Sequence, residues 1–293
     1  MDASFRRVAI LGTGLIGGSF ALALRKHAPG AVLTGWDKEP VLRQAHERGA
    51  IDEGFGELPL AVADADLIYV ALPVGTTIEL LPRLARLASP QALVSDAAST
   101  KRSVCSVASE CFSANGACFL GGHPMAGKEI SGIAAADAEL FRGSKYALIR
   151  KSRNANTVSG DDPRITKFVA LLKRLEAEPV WLDAETHDRA AAIVSHLPQL
   201  LAVALAGVVR DQTDETGLPV TLAGRGLRDA LRLAGSPYSV WRDIILTNSD
   251  NLDRALGRLI QSLEQLRGDL RTRELEEKFA AAGELYKILR DMR

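Results

Sequence analysis

The sequence predicts an α/β unit built on a doubly wound parallel sheet over residues 1–184, followed by an all-helical unit over 185–293. Three observations carry this reading. Short, continuously apolar runs alternate with helix-like segments through the first half, the pattern of strands buried on both faces. A G-x-G-x-x-G stretch follows the first of those runs and opens a helix. From Ala184 onward no convincing strand remains.

Taken in order, "RRVAIL" reads as a strand, "GTG" as a turn and "LIGGSFALALRKH" as the helix it opens. "AVLTGWD" is a second strand ending on an acid, and "VLRQAHERGA" a helix closed by Gly49. "ADLIYVALPV" gives a third strand, "IELLPRLARLA" a helix, "ALVSDAAS" a fourth strand and "CFLGGHP" a fifth. Residues 151–165 are polar and read as a surface loop. A helix around "FVALLKRLEAE" and a strand, "PVWLD", close the unit. Helices follow, the last of them long and charged.

The 293 residues suffice for two domains with ample cores. Lys plus Arg (36) equals Asp plus Glu (36), so no net charge draws the chain to nucleic acid or acidic membrane. Cys105, Cys111 and Cys118 are few and lack a CxxC spacing, which points to reduced thiols in a cytoplasmic protein and to no zinc site. The N-terminal apolar run passes straight into glycines, unlike a signal peptide. One stretch, residues 190–209, carries no charged side chain and is long enough to cross a bilayer. Ser195, His196, Pro198 and Gln199 sit within it, and no second such span exists, so it is expected to be a buried helix of a soluble protein. The helical unit of one chain is too small to surround it. A homodimer sharing such helices is the expected solution.

Gly12, Gly14 and Gly17 suit dinucleotide binding. The first makes the turn, the second lets the backbone approach a pyrophosphate, and the third lets helix and strand pack closely. The helix N-terminus, with Leu15 and Ile16 in it, supplies free N–H groups to the phosphates. Asp37 ends the next strand 25 residues after Gly12. A carboxylate there accepts from ribose hydroxyls and repels a 2′-phosphate, which favours NAD over NADP, although Lys38 weakens the preference.

Loops at the strand ends are then candidates for catalysis. "SDAAST" offers Ser99, Thr100 and Lys101, and "GGHPMAG" offers His123 in what reads as a stiff loop. An imidazole titrating near ~6.5 can take a proton from an alcohol as hydride leaves. Ser99 is placed either to orient that imidazole or to cap the following helix. Pro198, two residues after His196, is expected to break the helix and open a pocket there. On its own, His196 reads as a core histidine, Arg232 as a surface ion pair and His187 as structural.

The chain resembles the prephenate/arogenate dehydrogenase family of tyrosine biosynthesis across nearly its whole length. "ILGTGLIGGSFALAL", "DAASTK", "GGHPMAGKEISG", "VSHLP" and "LRDALRLAGSPYSVWRDI" carry the resemblance. It implies a Rossmann domain with a helical dimerisation domain, and an oxidative decarboxylation. It further implies that His123 contacts the ring hydroxyl and that Ser99 bridges it to substrate and nicotinamide. His196 and Arg232 would bind substrate, Arg232 clamping a carboxylate, while Glu129, Arg228 and Asp229 would belong to an ionic network around the pocket. Two departures stand out: Arg228 replaces a Lys, and Gly235-Ser236 precedes Pro237 where Ser-Asp is common. The chemistry is self-consistent. Loss of the hydroxyl proton and of hydride gives prephenate a ring carbonyl conjugated to the carbon that bears a carboxylate, so carbon dioxide leaves without a metal. The sequence leaves prephenate and arogenate open. It also leaves a β-hydroxy acid dehydrogenase, which would want a Lys where His196 stands, and a non-catalytic NADH sensor.

Overall fold

The structure, a computed structural model, describes residues 5–112, 116–150 and 162–291. Six short strands form the first sheet: β1 (Arg7–Leu11), β2 (Val32–Trp36), β3 (Glu53–Phe55), β4 (Leu67–Val70), β5 (Leu93–Asp96) and β6 (Cys118–Leu120). They run parallel in the order 3-2-1-4-5-6, that of Rossmann sheets. The helices α1 (Leu15–His27), α2 (Glu39–Glu47), α3 (Leu58–Val62), α4 (Val74–Leu87) and α5 (Arg102–Cys111) connect them.

Alternation within each strand explains why the runs are apolar throughout. Val8 and Ile10 of β1, with Leu67 and Tyr69 of β4, pack on one face against Phe20 of α1. Ala9, Leu11, Ile68 and Val70 pack on the other face with Leu81 and Leu84 of α4. Both faces are covered, so neither register of the alternation can be polar.

The expected fifth strand is in fact two. β6 ends at Leu120 and β7 (Gly122–Pro124) begins a second sheet with β8 (Lys145–Ile149) and β9 (Glu178–Leu182), in the order 7-8-9. β7 pairs antiparallel with β8, and β8 parallel with β9. The switch between sheets needs Gly121 and Gly122. A Cβ on the first would sit 2.7 Å from Cys105 Sγ, and one on the second 2.7 Å from the Asp96 carbonyl oxygen. Tyr69 ties the sheets together: its ring stacks on Phe20 at 3.9 Å, and its hydroxyl shares a 3.0 Å hydrogen bond with that of Tyr146. β3 and β8 were not foreseen. β3 is three residues long and largely exposed, and β8 is a lone apolar run without a helix leading into it. Of the predicted surface loop, residues 151–161 lie outside the described residues. α6 (Pro163–Arg174) starts within its last part, where the Asp162 carboxylate caps it by accepting the Arg164 N–H.

Helices alone follow: α7 (Ala184–Ala191), α8 (Leu197–Asp211), α9 (Leu218–Thr221), α10 (Arg225–Leu231), α11 (Tyr238–Thr247), α12 (Ser249–Gly268) and α13 (Glu274–Asp291). Pro198 does not break the helix as expected. α7 and α8 are one continuous helix of 28 residues, interrupted by a single π turn at Ala192–His196. There the Leu197 N–H reaches back five residues to the Ala192 carbonyl, and Pro198 falls in the first turn of α8, where its missing donor is tolerated. This helix is long and apolar enough to cross a membrane. Within one chain the helix is largely uncovered: only 22% of its most apolar stretch is buried, and Val194, Leu201, Val203 and Val208 are exposed.

Candidate active site

The parallel strands bring their C-terminal ends to one edge, and the first of these carries the glycine turn. Gly12 has φ of 89°, and a Cβ on it would lie 2.4 Å from the Ala71 carbonyl oxygen beyond β4. A Cβ on Gly17 would lie 1.9 Å from the Gly12 carbonyl oxygen, so this contact is open to glycine alone. Gly14 has nothing within 4 Å of its Cβ position, which leaves open space above the first turn of α1. That turn, which contains Leu15, Ile16 and Gly17, has no side-chain cap and no acidic residue. Asp37, directly after β2, folds back onto the loop. It accepts the Thr13 N–H at 2.8 Å and the Lys38 N–H at 2.7 Å.

His123 lies at the same edge, in the middle of β7 and not in a loop. A buried ion pair fixes the strand. Lys101 and Asp96, both fully buried, are in contact. Lys101 Nζ donates to the Gly122 carbonyl at 2.7 Å, while Asp96 Oδ1 accepts the Gly122 N–H at 3.1 Å. The residue preceding His123 is thus held through both its N–H and its carbonyl. His123 Nδ1 lies 2.9 Å from His187 Nε2, and His187 Nδ1 lies 2.8 Å from Asp188 Oδ1. Burial, reinforced by His187, Lys101 and His196, pushes the His123 imidazole well below its ordinary value, so at neutral pH it is an uncharged base. Burial disfavours the Asp188 carboxylate, yet the His187 ring and the N–H groups of Arg102 and Lys101 outweigh it and hold the carboxyl low.

His196 comes from the π turn and is 1% exposed. Asn248 settles its tautomer. The amide oxygen of Asn248 accepts from Asn251 at 2.8 Å, so its NH2 group faces the Asp188 carbonyl at 2.8 Å and His196 Nδ1 at 3.2 Å. His196 Nδ1 therefore accepts, and Nε2, buried without a partner among the described residues, carries the hydrogen. Burial depresses its pKa to about 4.

The other expected residues are distributed unevenly. Arg232 and Glu129 are in contact as an ion pair, which joins the loop after β7 to the helical unit. Arg228 and Asp229 lie exposed on α10 with no ion pair among the described residues. Ser99 is partly buried and makes no hydrogen bond to His123. Nor does it cap α5, whose N-cap position is Lys101. His187, read from sequence as structural, touches His123 instead. Asp188, Lys101 and Asp96 also belong to the site. The one sequence signal for His187 and Asp188 was a His-Asp dipeptide in the first helix after the last strand.

Two family models match the chain: the nucleotide-binding domain of prephenate dehydrogenase over residues 20–174, and the prephenate dehydrogenase dimerization domain over residues 183–289. The chain belongs to the prephenate dehydrogenase family. The glycine turn lies just ahead of the first matched stretch. The prephenate dehydrogenase of Lactococcus lactis subsp. cremoris is 36% identical over 84% of this chain and 66% of its own length. That of Bacillus subtilis is 31% identical over 98% of this chain and 75% of its own. The crystal structure of prephenate dehydrogenase from A. aeolicus, in complex with hydroxyphenyl propionate and NAD+, superposes with a TM-score of 0.85 at 28% identity, covering 99% of both chains.

Proposed function

We propose that the chain is an NAD-dependent prephenate dehydrogenase, converting prephenate to 4-hydroxyphenylpyruvate by oxidative decarboxylation in tyrosine biosynthesis. The observation that carries the reading is His123: a buried, uncharged imidazole at the same sheet edge as the glycine turn, with Nδ1 engaged and Nε2 left to act. The residues present fit a dinucleotide. The turn admits nothing larger than glycine at positions 12 and 17, leaves space at Gly14, and has the Asp37 carboxylate drawn against it. Gly12, Gly14, Leu15, Ile16, Gly17 and Asp37 would hold NAD, which supplies the hydride acceptor when bound.

His123 Nε2 takes the ring-hydroxyl proton, general-base chemistry that needs the free lone pair its low pKa provides. Arg232 offers a planar guanidinium to a carboxylate, exchanging Glu129 for the substrate. His196 Nε2–H donates a hydrogen bond from a dry wall. Ser99 reaches the hydroxyl once substrate is in place, and Arg228 and Asp229 set the charge at the entrance. Residues 1–184 form the cofactor unit, and residues 185–293 form the substrate and homodimer unit, a division supported by the last strand ending at Leu182 and helices beginning at Ala184. The zero net charge and the few cysteines without a paired spacing are what support a cytoplasmic enzyme without a nucleic-acid or membrane partner.

The test is an assay of purified protein with prephenate or arogenate and with NAD or NADP in all four combinations. NADH formation with prephenate is expected to be fastest, and His123→Ala should lower turnover on the order of 10²–10⁴-fold with NAD affinity little changed. Faster turnover of arogenate would reassign the substrate. A His123→Ala enzyme within threefold of wild type would remove His123 from the chemistry.

A further inference from the structure

The hydrogen bonds behind His123 form a directed chain. Asp188 Oδ1 accepts the Lys101 N–H at 2.7 Å, and Oδ2 accepts the Arg102 N–H at 2.9 Å. A group receiving two backbone donors acts as a carboxylate, so its contact with His187 Nδ1 at 2.8 Å is one in which the ring donates. With its hydrogen on Nδ1, the His187 ring presents a lone pair at Nε2. The only hydrogen available across the 2.9 Å gap is then the one on His123 Nδ1. This leaves the His123 lone pair on Nε2, the nitrogen without a hydrogen bond among the described residues. His187 is 2% exposed and Asp188 fully buried, so water does not compete for any link.

We propose that His187 and Asp188 are positioning residues that fix the His123 tautomer and carry the abstracted proton onward. The proposal rests on His123 being the base assigned above. In the reaction the substrate O–H bond breaks and an Nε2–H bond forms on His123. The Nδ1–H bond of His123 breaks in turn, and an Nε2–H bond forms on His187. One proton enters and one positive charge results, on a ring already bonded to the Asp188 carboxylate. Lys101, paired with Asp96, and His196 also act on the His123 ring, each disfavouring charge there. An acid stationed behind the base in this way serves to hold it in the productive tautomer and to stabilise its charged form.

Two experiments test the relay, the first of them without regard to turnover. In wild-type protein labelled with 15N-histidine, the ring nitrogens should report hydrogen on Nδ1 of both His123 and His187, and an unprotonated Nε2 on His123. The reverse tautomer at His123 overturns the proposal even in a fully active enzyme. In the second, His187→Gln keeps an amide oxygen to accept from His123 Nδ1 but has no site for the proton. kcat should fall roughly 10–100-fold, less than for loss of the base itself, while KM for prephenate changes little. His187→Leu removes the acceptor as well. The His187 ring is also one of the groups that depress His123, so without it the His123 pKa rises and the acidic limb of the kcat profile moves to higher pH. A packing role alone would lower kcat without moving that limb. Variants with unmoved limbs and kcat within threefold of wild type would reject the relay while leaving the His123 assignment intact.

Discussion

At the scale of single residues, Asp37 combines two tasks. Its carboxylate holds the Thr13 N–H of the glycine turn and places negative charge where an adenosine ribose would lie. Asp37→Ser with Lys38→Arg should therefore shift the kcat/KM ratio toward NADP by roughly tenfold, the ~1–2 kcal/mol of one charge contact at a half-exposed site. Because Thr13 loses its acceptor, affinity for both cofactors should drop as well. A wild-type enzyme that already prefers NADP defeats this reading. Asp37 was legible in the sequence because the turn and the acid are local features with fixed spacing. His187 was not, because the partner that gives it meaning is 64 positions away and lies on a strand of another sheet. His123 was legible as a histidine at the strand ends and illegible as a strand residue, since glycine and proline on either side usually mark a turn.

At the scale of elements, β7 depends on a buried charge pair and not on its own hydrogen-bond ladder, which is three residues long. Lys101→Met would strand the Asp96 carboxylate without its cation and strip the Gly122 carbonyl of its donor. Urea denaturation should show a loss of about 3–5 kcal/mol, the usual cost of orphaning one member of a buried pair. The double variant Asp96→Asn, Lys101→Met should recover part of that loss. If Lys101→Met lies within about 1 kcal/mol of wild type, another contact holds the strand. The same region shows where pattern reading fails. "CFLGGHP" is apolar throughout and reads as one run, and nothing in its periodicity marks that the chain changes sheets at Gly121. That change is dictated by close contacts with Cys105 and Asp96, which are remote in sequence. β1, α1, β2 and β4 were readable because each satisfies its own local pattern.

At the scale of the molecule, the helical unit ends in surfaces that water does not suit. Val194, Leu201, Val203 and Val208 on the long helix, with Phe279, Leu285 and Ile288 on α13, are each about half exposed or more. An obligate homodimer is the expected resolution. Analytical ultracentrifugation at submicromolar concentration should find a dimer that loses activity only as it unfolds; a folded, active monomer would refute this. The sequence revealed that residues 190–209 must be covered. Size also suggested that one chain could not supply the cover, but which side chains would be left exposed was not legible, since hydropathy records what a side chain avoids and not which molecule shields it.

The π turn sets an angular phase. Successive residues of a regular helix advance by about 100°, so the nine steps from His187 to His196 would set the two rings roughly 180° apart. One extra residue accommodated in the wide turn makes them behave as eight steps, about 80° apart, within one quadrant. His187, Asp188, His196 and Gln199 are accordingly all buried together. The same insertion sets the direction in which the apolar stripe of α8 points. Excising a single position from Ala192–His196 would therefore rotate the catalytic wall and the outward stripe against each other by the same angle, so proton handling and self-association share one geometric adjustment.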